Sequence, residues 1–259
     1  MIIDCFTFNK EVDLLEKRIK YLWDTVDYFV IVEADVMFNG TPREFCYAKH
    51  IARFRQYERK ILYFPYSIDV SGLDFVERPQ STWVVENAQR NWIGHALSLF
   101  NNHDNIIVSD VDEIPNKVAV KEAINYISNI TPKIACEQIL FCHDFRSRQL
   151  DPWCGSVVST VKHVRETSAQ HLRDMRFNTI RVANGGWHLC NWEMSAEEVS
   201  DKLKQYSHQE SNTPHYTDVE RLKKVIEEGG DYLGRGNVYV PFDFNTLPDD
   251  FKRLFVHAL

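Results

Sequence analysis

The strongest constraint on this chain is a short apolar run followed by an amphipathic stretch, a pattern that recurs through the first 130 residues. Ile2 to Phe8 is largely apolar, and Val12, Leu15, Ile19 and Leu22 then fall on one helical face, with Asn9 placed to cap that helix. Tyr28-Phe-Val-Ile-Val-Glu33 reads as a strand buried on both faces, because almost every side chain is β-branched or aromatic. Phe45, Ala48, Ala52, Phe54 and Tyr57 predict a second helix, and Lys60 to Pro65 a third strand. A turn-rich loop covers 66–80, a long helix Thr82 to Phe100, a fourth strand Ile106 to Val108, and a further helix Lys117 to Ile127. Strands alternating with helices in this way dictate an α/β fold with a Rossmann-like, mostly parallel sheet covered on both faces.

After residue 130 the texture changes. Strand-like runs at 134–145, 156–164 and 179–182 fit a mixed sheet extension better than further strand–helix units. Ser195-Ala-Glu-Glu198 is a capping box that opens a helix reaching about Tyr206, and a second helix from Thr217 stops at Gly229-Gly230. With no linker-like composition, 1–259 is expected to be a single domain, divided into a nucleotide-binding type of half (1–130) and a half facing a second substrate (131–259).

Composition narrows the partners. Thirty-seven acids against 30 Lys and Arg leave a net charge of -7, which argues against nucleic acid, since phosphate-backbone binding needs clustered positive charge. No window has the apolar length of a membrane span, and no basic segment leads into an apolar signal core, so the expected location is cytoplasmic. Six cysteines without a CxxC spacing read as reduced, mostly buried thiols.

The densest chemistry lies at Ser109-Asp110-Val111-Asp112-Glu113-Ile114-Pro115, where an apolar strand leaves the sheet at the edge where open α/β sheets bind ligands. Strand alternation would turn Asp110 and Asp112 to one side, so that both reach a single divalent cation holding a diphosphate. Three carboxylates so close repel one another unless a cation neutralises them. In Gly185-Gly186-Trp187-His188, paired glycines permit close backbone approach, and His188 would complete an Asp/Asp/His site suited to Mn²⁺. Two other readings remain open. A haloacid-dehalogenase-like phosphatase would use Asp110 as nucleophile and Asp112 as acid/base, and a non-catalytic carbohydrate-binding module would use the aromatic residues.

Ile3 to Leu15, Val26 to Glu33, Ser109 to Pro115 and Gly186-Trp187-His188, in this order, resemble glycosyltransferase family 17, in particular its soluble bacterial or viral type. The resemblance runs from residue 2 to about 235. It implies a GT-A fold, an inverting transfer of a sugar to the hydroxyl of a glycan acceptor, a donor that is UDP-GlcNAc or another UDP-sugar, and Mn²⁺ or Mg²⁺. Under it, Asp110 and Asp112 occupy the D-x-D position with His188 as the further metal ligand. The first half becomes the nucleotide-sugar side and the second the acceptor side. Phe8 is expected to stack on the base beside Asn9, Glu33 to accept from uracil or ribose, and Arg90 to meet a phosphate or Asp110. The general base stays open among Glu113, Glu137, Asp144 and Glu193, and Trp153, Trp187 and Trp192 are candidates for a sugar platform. Nothing in the sequence sets the oligomeric state.

Overall fold

A computed structural model describes residues 1–255. The strands are β1 (Ile2–Thr7), β2 (Tyr28–Ala34), β3 (Ile61–Tyr66), β4 (Asn105–Asp110), β5 (Glu113–Pro115), β6 (Lys133–Cys142), β7 (Ser147–Gln149), β8 (Trp153–Thr160), β9 (Ile180–Cys190) and β10 (Tyr239–Pro241). The helices are α1 (Val12–Leu22), α2 (Cys46–Phe54), α3 (Ser81–Asn91), α4 (Ile93–Ala96), α5 (Lys117–Tyr126), α6 (Val161–Glu166), α7 (Ala169–Asp174), α8 (Ala196–Gln205), α9 (Val219–Glu228) and α10 (Asp249–Lys252).

The expected parallel core is present: β3, β2, β1 and β4 lie side by side, all parallel. Beyond β4 the same sheet continues through β8, β6, β7 and β10 with antiparallel pairings, while β9 runs parallel to β6 and antiparallel to β5. A parallel core extended by a mixed region is the GT-A type of architecture implied by the resemblance. Pleating sends Ile3 and Cys5 of β1 into an apolar layer with Ile93 and Ala96 of α4, Val161 of α6 and Leu172 of α7. Phe6 faces the opposite layer, built from Leu15 and Ile19 of α1, Phe54 of α2 and Val120 of α5. Each layer buries its strand face from water, at about 25 cal/mol per Å² of apolar surface. A third cluster seats α8 and α9 on the end of β6 through Leu140, Val199, Leu203 and Leu222.

Several local expectations change. Asn9 does not cap α1; Glu11 takes the cap position, and its own carboxylate accepts from the Asn9 and Lys10 amides. Of the face expected for α2, Phe54 and Tyr57 are buried while Ala48 and Ala52 face solvent, and Tyr47, outside that face, joins Phe54 as the helix's buried side. The helix expected to reach Phe100 breaks at Trp92, whose ring stacks on Tyr66 at 3.8 Å and ties the break to the end of β3. The Ser195 capping box forms with both of its hydrogen bonds, and α9 ends at Gly229 in the left-handed conformation (φ 66°).

Candidate active site

The acidic turn stands at the carboxyl end of β4. Beneath it lies Arg18, which α1 carries on its otherwise apolar face. Arg18 Nη1 donates to the carbonyls of Asp110 (2.8 Å), Val111 (3.2 Å) and Glu113 (2.9 Å). Its Nε and Nη2 donate to both oxygens of Asp4 at 2.8 and 2.6 Å, and Nη2 also reaches Ser109 Oγ. One fully buried guanidinium therefore shapes the turn from inside, using the fork geometry that lysine lacks.

Residues 111 and 112 form a turn rather than continuing the strand, so alternation fails and the two aspartates part. Asp110 Oδ1 accepts from Thr7 Oγ1 and Arg90 Nη2, each at 2.9 Å, and Oδ2 accepts from Arg173 Nη2 at 2.8 Å. Burial opposes ionisation of Asp110, but Arg173 and Arg90 outweigh it and hold the carboxyl well below the usual range. In this arrangement both Asp110 oxygens face arginines of the fold, one each, rather than the side of Asp112 on which it was expected to share a cation. Arg90 does meet Asp110, as one of the two expected partners, and also pairs with Glu86 at 3.0 Å.

Asp112 turns the other way, toward His188. The antiparallel β5–β9 pairing sets Glu113 opposite His188, which brings His188 Nε2 to 3.5 Å from Asp112 Oδ2. This pairing explains the glycines: a Cβ on Gly186 (φ 130°) would lie 2.2 Å from the Ile114 carbonyl oxygen, and one on Gly185 would lie 2.6 Å from the backbone of Cys136 and Glu137. The close approach read from the sequence is made to the neighbouring strands. Burial opposes protonation of His188, but Asp112 pulls its pKa up to about 9, while the imidazolium holds Asp112 below its usual value against burial.

The donor set suits a divalent cation. The 3.5 Å contact is longer than an ordinary hydrogen bond, so a cation that displaced the imidazolium proton would find His188 Nε2 and Asp112 Oδ2 facing it, while Nδ1 is buried without a partner. Among the described residues no group of three His, Cys, Asp or Glu side chains converges. Two protein donors fit an ion that takes its remaining positions from substrate phosphates and water.

Other expected site residues lie elsewhere. Phe8 is buried in the core, so its ring is unavailable to a base; its carbonyl accepts from Gln89 and Arg43. Glu33 is fully buried and saturated by the Cys46 and Tyr47 amides, the Tyr63 hydroxyl and Arg43, which corrects its expected contact with uracil or ribose. Glu113, expected as a possible base, is fully buried between the Trp153 Nε1–H (2.7 Å), Arg173 (2.7 Å) and the Asp110 amide (2.9 Å). Trp187 stacks on Phe251 at 3.7 Å and Trp192 packs on Phe145, so both are core residues; Trp153 lies beside His188 with ring centroids 5.1 Å apart. Asn9 keeps a buried, unpartnered Oδ1. Arg18 was legible as a lone cation on an apolar helical face opposite Asp4, whereas nothing in the sequence marked Arg173.

All six cysteines are free thiols, and no described helix is long and apolar enough to cross a membrane. Comparison with known proteins adds a lineage. The chain is 24% identical over 279 aligned residues to the β-1,4-mannosyl-glycoprotein 4-β-N-acetylglucosaminyltransferases of Rattus norvegicus and Homo sapiens, covering 93% of this chain. It spans about half the length of these relatives (50%). Among solved structures, the mannose-6-phosphate isomerase of Helicobacter pylori aligns at 11% identity with a TM-score of 0.42, over 70% of this chain and 85% of that one. The glycosyltransferase family 17 profile matches residues 1–240, and the chain belongs to that family.

Proposed function

We propose that this chain is an inverting, metal-dependent transferase that moves GlcNAc from UDP-GlcNAc to a hydroxyl of a glycan acceptor. The observation that carries the reading is the Asp112–His188 pair at the carboxyl edge of the parallel core, in a chain of family 17. Asp112 and His188 would hold Mn²⁺ or Mg²⁺, and when bound the cation neutralises the charge that develops on the departing diphosphate. Arg18 keeps the turn in shape from below. Arg90 and Arg173 hold Asp110 ionised and fixed, so that the turn does not rearrange as charge moves across it. On the donor side, Asn9 Oδ1 is a buried acceptor that the fold leaves without a partner, and a donor group of the base or ribose would satisfy it if the loop after β1 admitted it.

An inverting transfer needs one base opposite the leaving group. Glu137 pairs with Arg181 at 3.4 Å and Asp144 with Arg146 at 2.7 Å. Glu193 is exposed and has no ion-pair partner among the described residues, which makes it the first base to test.

The reading is tested by UDP release from UDP-GlcNAc, UDP-Gal and UDP-Glc with Mn²⁺, and with EDTA as control. The expected result is release that is fastest with UDP-GlcNAc, abolished by EDTA, and reduced at least about 100-fold in Asp112→Ala, as befits loss of a charged ligand. Sugar binding without metal-dependent UDP release from any donor would overturn it in favour of a binding module.

A further inference from the structure

Three buried arginines near the acidic turn are matched to carboxylates: Arg18 to Asp4, Arg90 to Asp110, and Arg173 to Asp110 and Glu113, all within 2.9 Å. A fourth, Arg176, is not. It lies between α7 and β9, half-buried, and its Nη1 donates to the Arg173 carbonyl at 2.6 Å. Its guanidinium carbon sits 5.4 Å from the Trp153 ring centroid and 4.4 Å from that of Phe177. Its Nε is buried without a partner, and among the described residues no carboxylate lies within ion-pair distance. No local acid is spare, because Arg90, Arg173, Thr7, Trp153 and the Asp110 amide take up the oxygens of Asp110 and Glu113.

In a chain with more acids than bases, a half-buried guanidinium near Asp110 and Glu113 yet paired with neither is left able to take an anion from outside. The two rings hold the guanidinium, and with Nη1 spent on the Arg173 carbonyl the N–H groups left without a protein partner among the described residues are those of Nε and Nη2, the edge an arginine can offer to a phosphate. Trp153 joins this cation to the Asp112–His188 pair, since the same indole lies 5.1 Å from the His188 ring. We infer that Arg176, held between Trp153 and Phe177, binds the diphosphate of the nucleotide-sugar donor from the side of the turn not served by the metal ligands. The inference rests on the donor reading above and adds a phosphate-binding residue outside the D-x-D turn. Burial and the positive charge of Arg173 push the Arg176 pKa down to about 10, so an arriving anion relieves a cation that the protein itself leaves undercompensated.

The test is calorimetric binding of UDP, inorganic pyrophosphate and uridine, with Mn²⁺ present, to the wild-type chain, Arg176→Ala and Arg176→Lys. Melting temperatures are recorded alongside to confirm folding. The expected result is a loss of about 10–100-fold in affinity for UDP and pyrophosphate in Arg176→Ala, a smaller loss in Arg176→Lys, and uridine binding unchanged. If folded Arg176→Ala and Arg176→Lys bind UDP and pyrophosphate as the wild type does, Arg176 is not a diphosphate ligand, while the donor reading stands on wild-type UDP binding. If the wild type binds neither UDP nor pyrophosphate, both readings fall together.

Discussion

In the parallel half, Asp4, Arg18, Glu33 and Gln89 are almost wholly buried, and each spends its polar atoms on partners within the fold. In the mixed half, His143 and Asn191 are buried at 7% and 2% exposure, side by side at the ends of parallel β6 and β9, yet neither nitrogen of His143 and neither polar side-chain atom of Asn191 has a partner. Both also adopt left-handed backbone conformations, with φ of 70° and 51°. These four residues of the parallel half use buried polarity as internal bracing, although Asn9, Arg43, Asn87 and Arg90 there each leave one buried side-chain atom unpartnered. The mixed half keeps polar groups uncommitted where chain ends and loops gather, at a cost in stability of about 1–3 kcal/mol for each group left unpaired.

The largest effect should come from removing a brace. Arg18→Ala leaves Asp4 charged and buried and strips three carbonyls of their donor, so denaturant unfolding should show a loss of about 3–5 kcal/mol. A loss below about 1 kcal/mol would mean that the parallel half does not depend on its internal ion pair.

The next effect belongs to the mixed half and depends on pH. Burial, outweighing the opposing pull of Asp144, lowers the His143 pKa from 6.5 to about 4. The unfolded chain therefore takes up this proton first as pH falls from 6.5 to about 4. Stability is full above that window and drops across it by up to about 3 kcal/mol. Urea midpoints measured through the window should fall in the wild type and flatten in His143→Phe; parallel curves would show that His143 is not held neutral by burial.

The smallest effect probes the seam between the halves. Gly186→Ala must place a Cβ against the Ile114 carbonyl at a φ that L-residues avoid, which should cost on the order of 2–3 kcal/mol. Because the same strand pairing positions His188, Mn²⁺ affinity should fall with stability. Retained affinity in a destabilised Gly186→Ala would show that the metal pair does not depend on the β5–β9 register.

The parallel half was largely legible in the sequence because burial on both faces writes a continuous apolar run, as at Tyr28–Glu33, and amphipathic helices write a period. The mixed half was less so. Short helices such as α6 and α7 are too brief for a period to show, and β9 passes through two glycines that carry no strand signal. At the site, the meeting of Asp112 with His188 followed the sequence expectation, but the turning of Asp110 toward the arginines did not. It depends on Arg173, whose approach is set by tertiary packing, and on a two-residue turn that breaks strand alternation. Glu33 and Phe8 misled because a carboxylate or an aromatic ring at a strand end looks the same in sequence whether it faces a ligand or the interior.

The β5–β9 pairing also sets an order of events. Asp112 leaves the ribosome well before His188, and the β-strand that carries His188 is registered between β5 and β6, so the pair cannot form until synthesis has passed residue 190. On the proposed metal reading, competence would be a late acquisition of the nascent chain, and a polypeptide arrested or cleaved ahead of β9 would carry the aspartate turn without the imidazole that pairs with it.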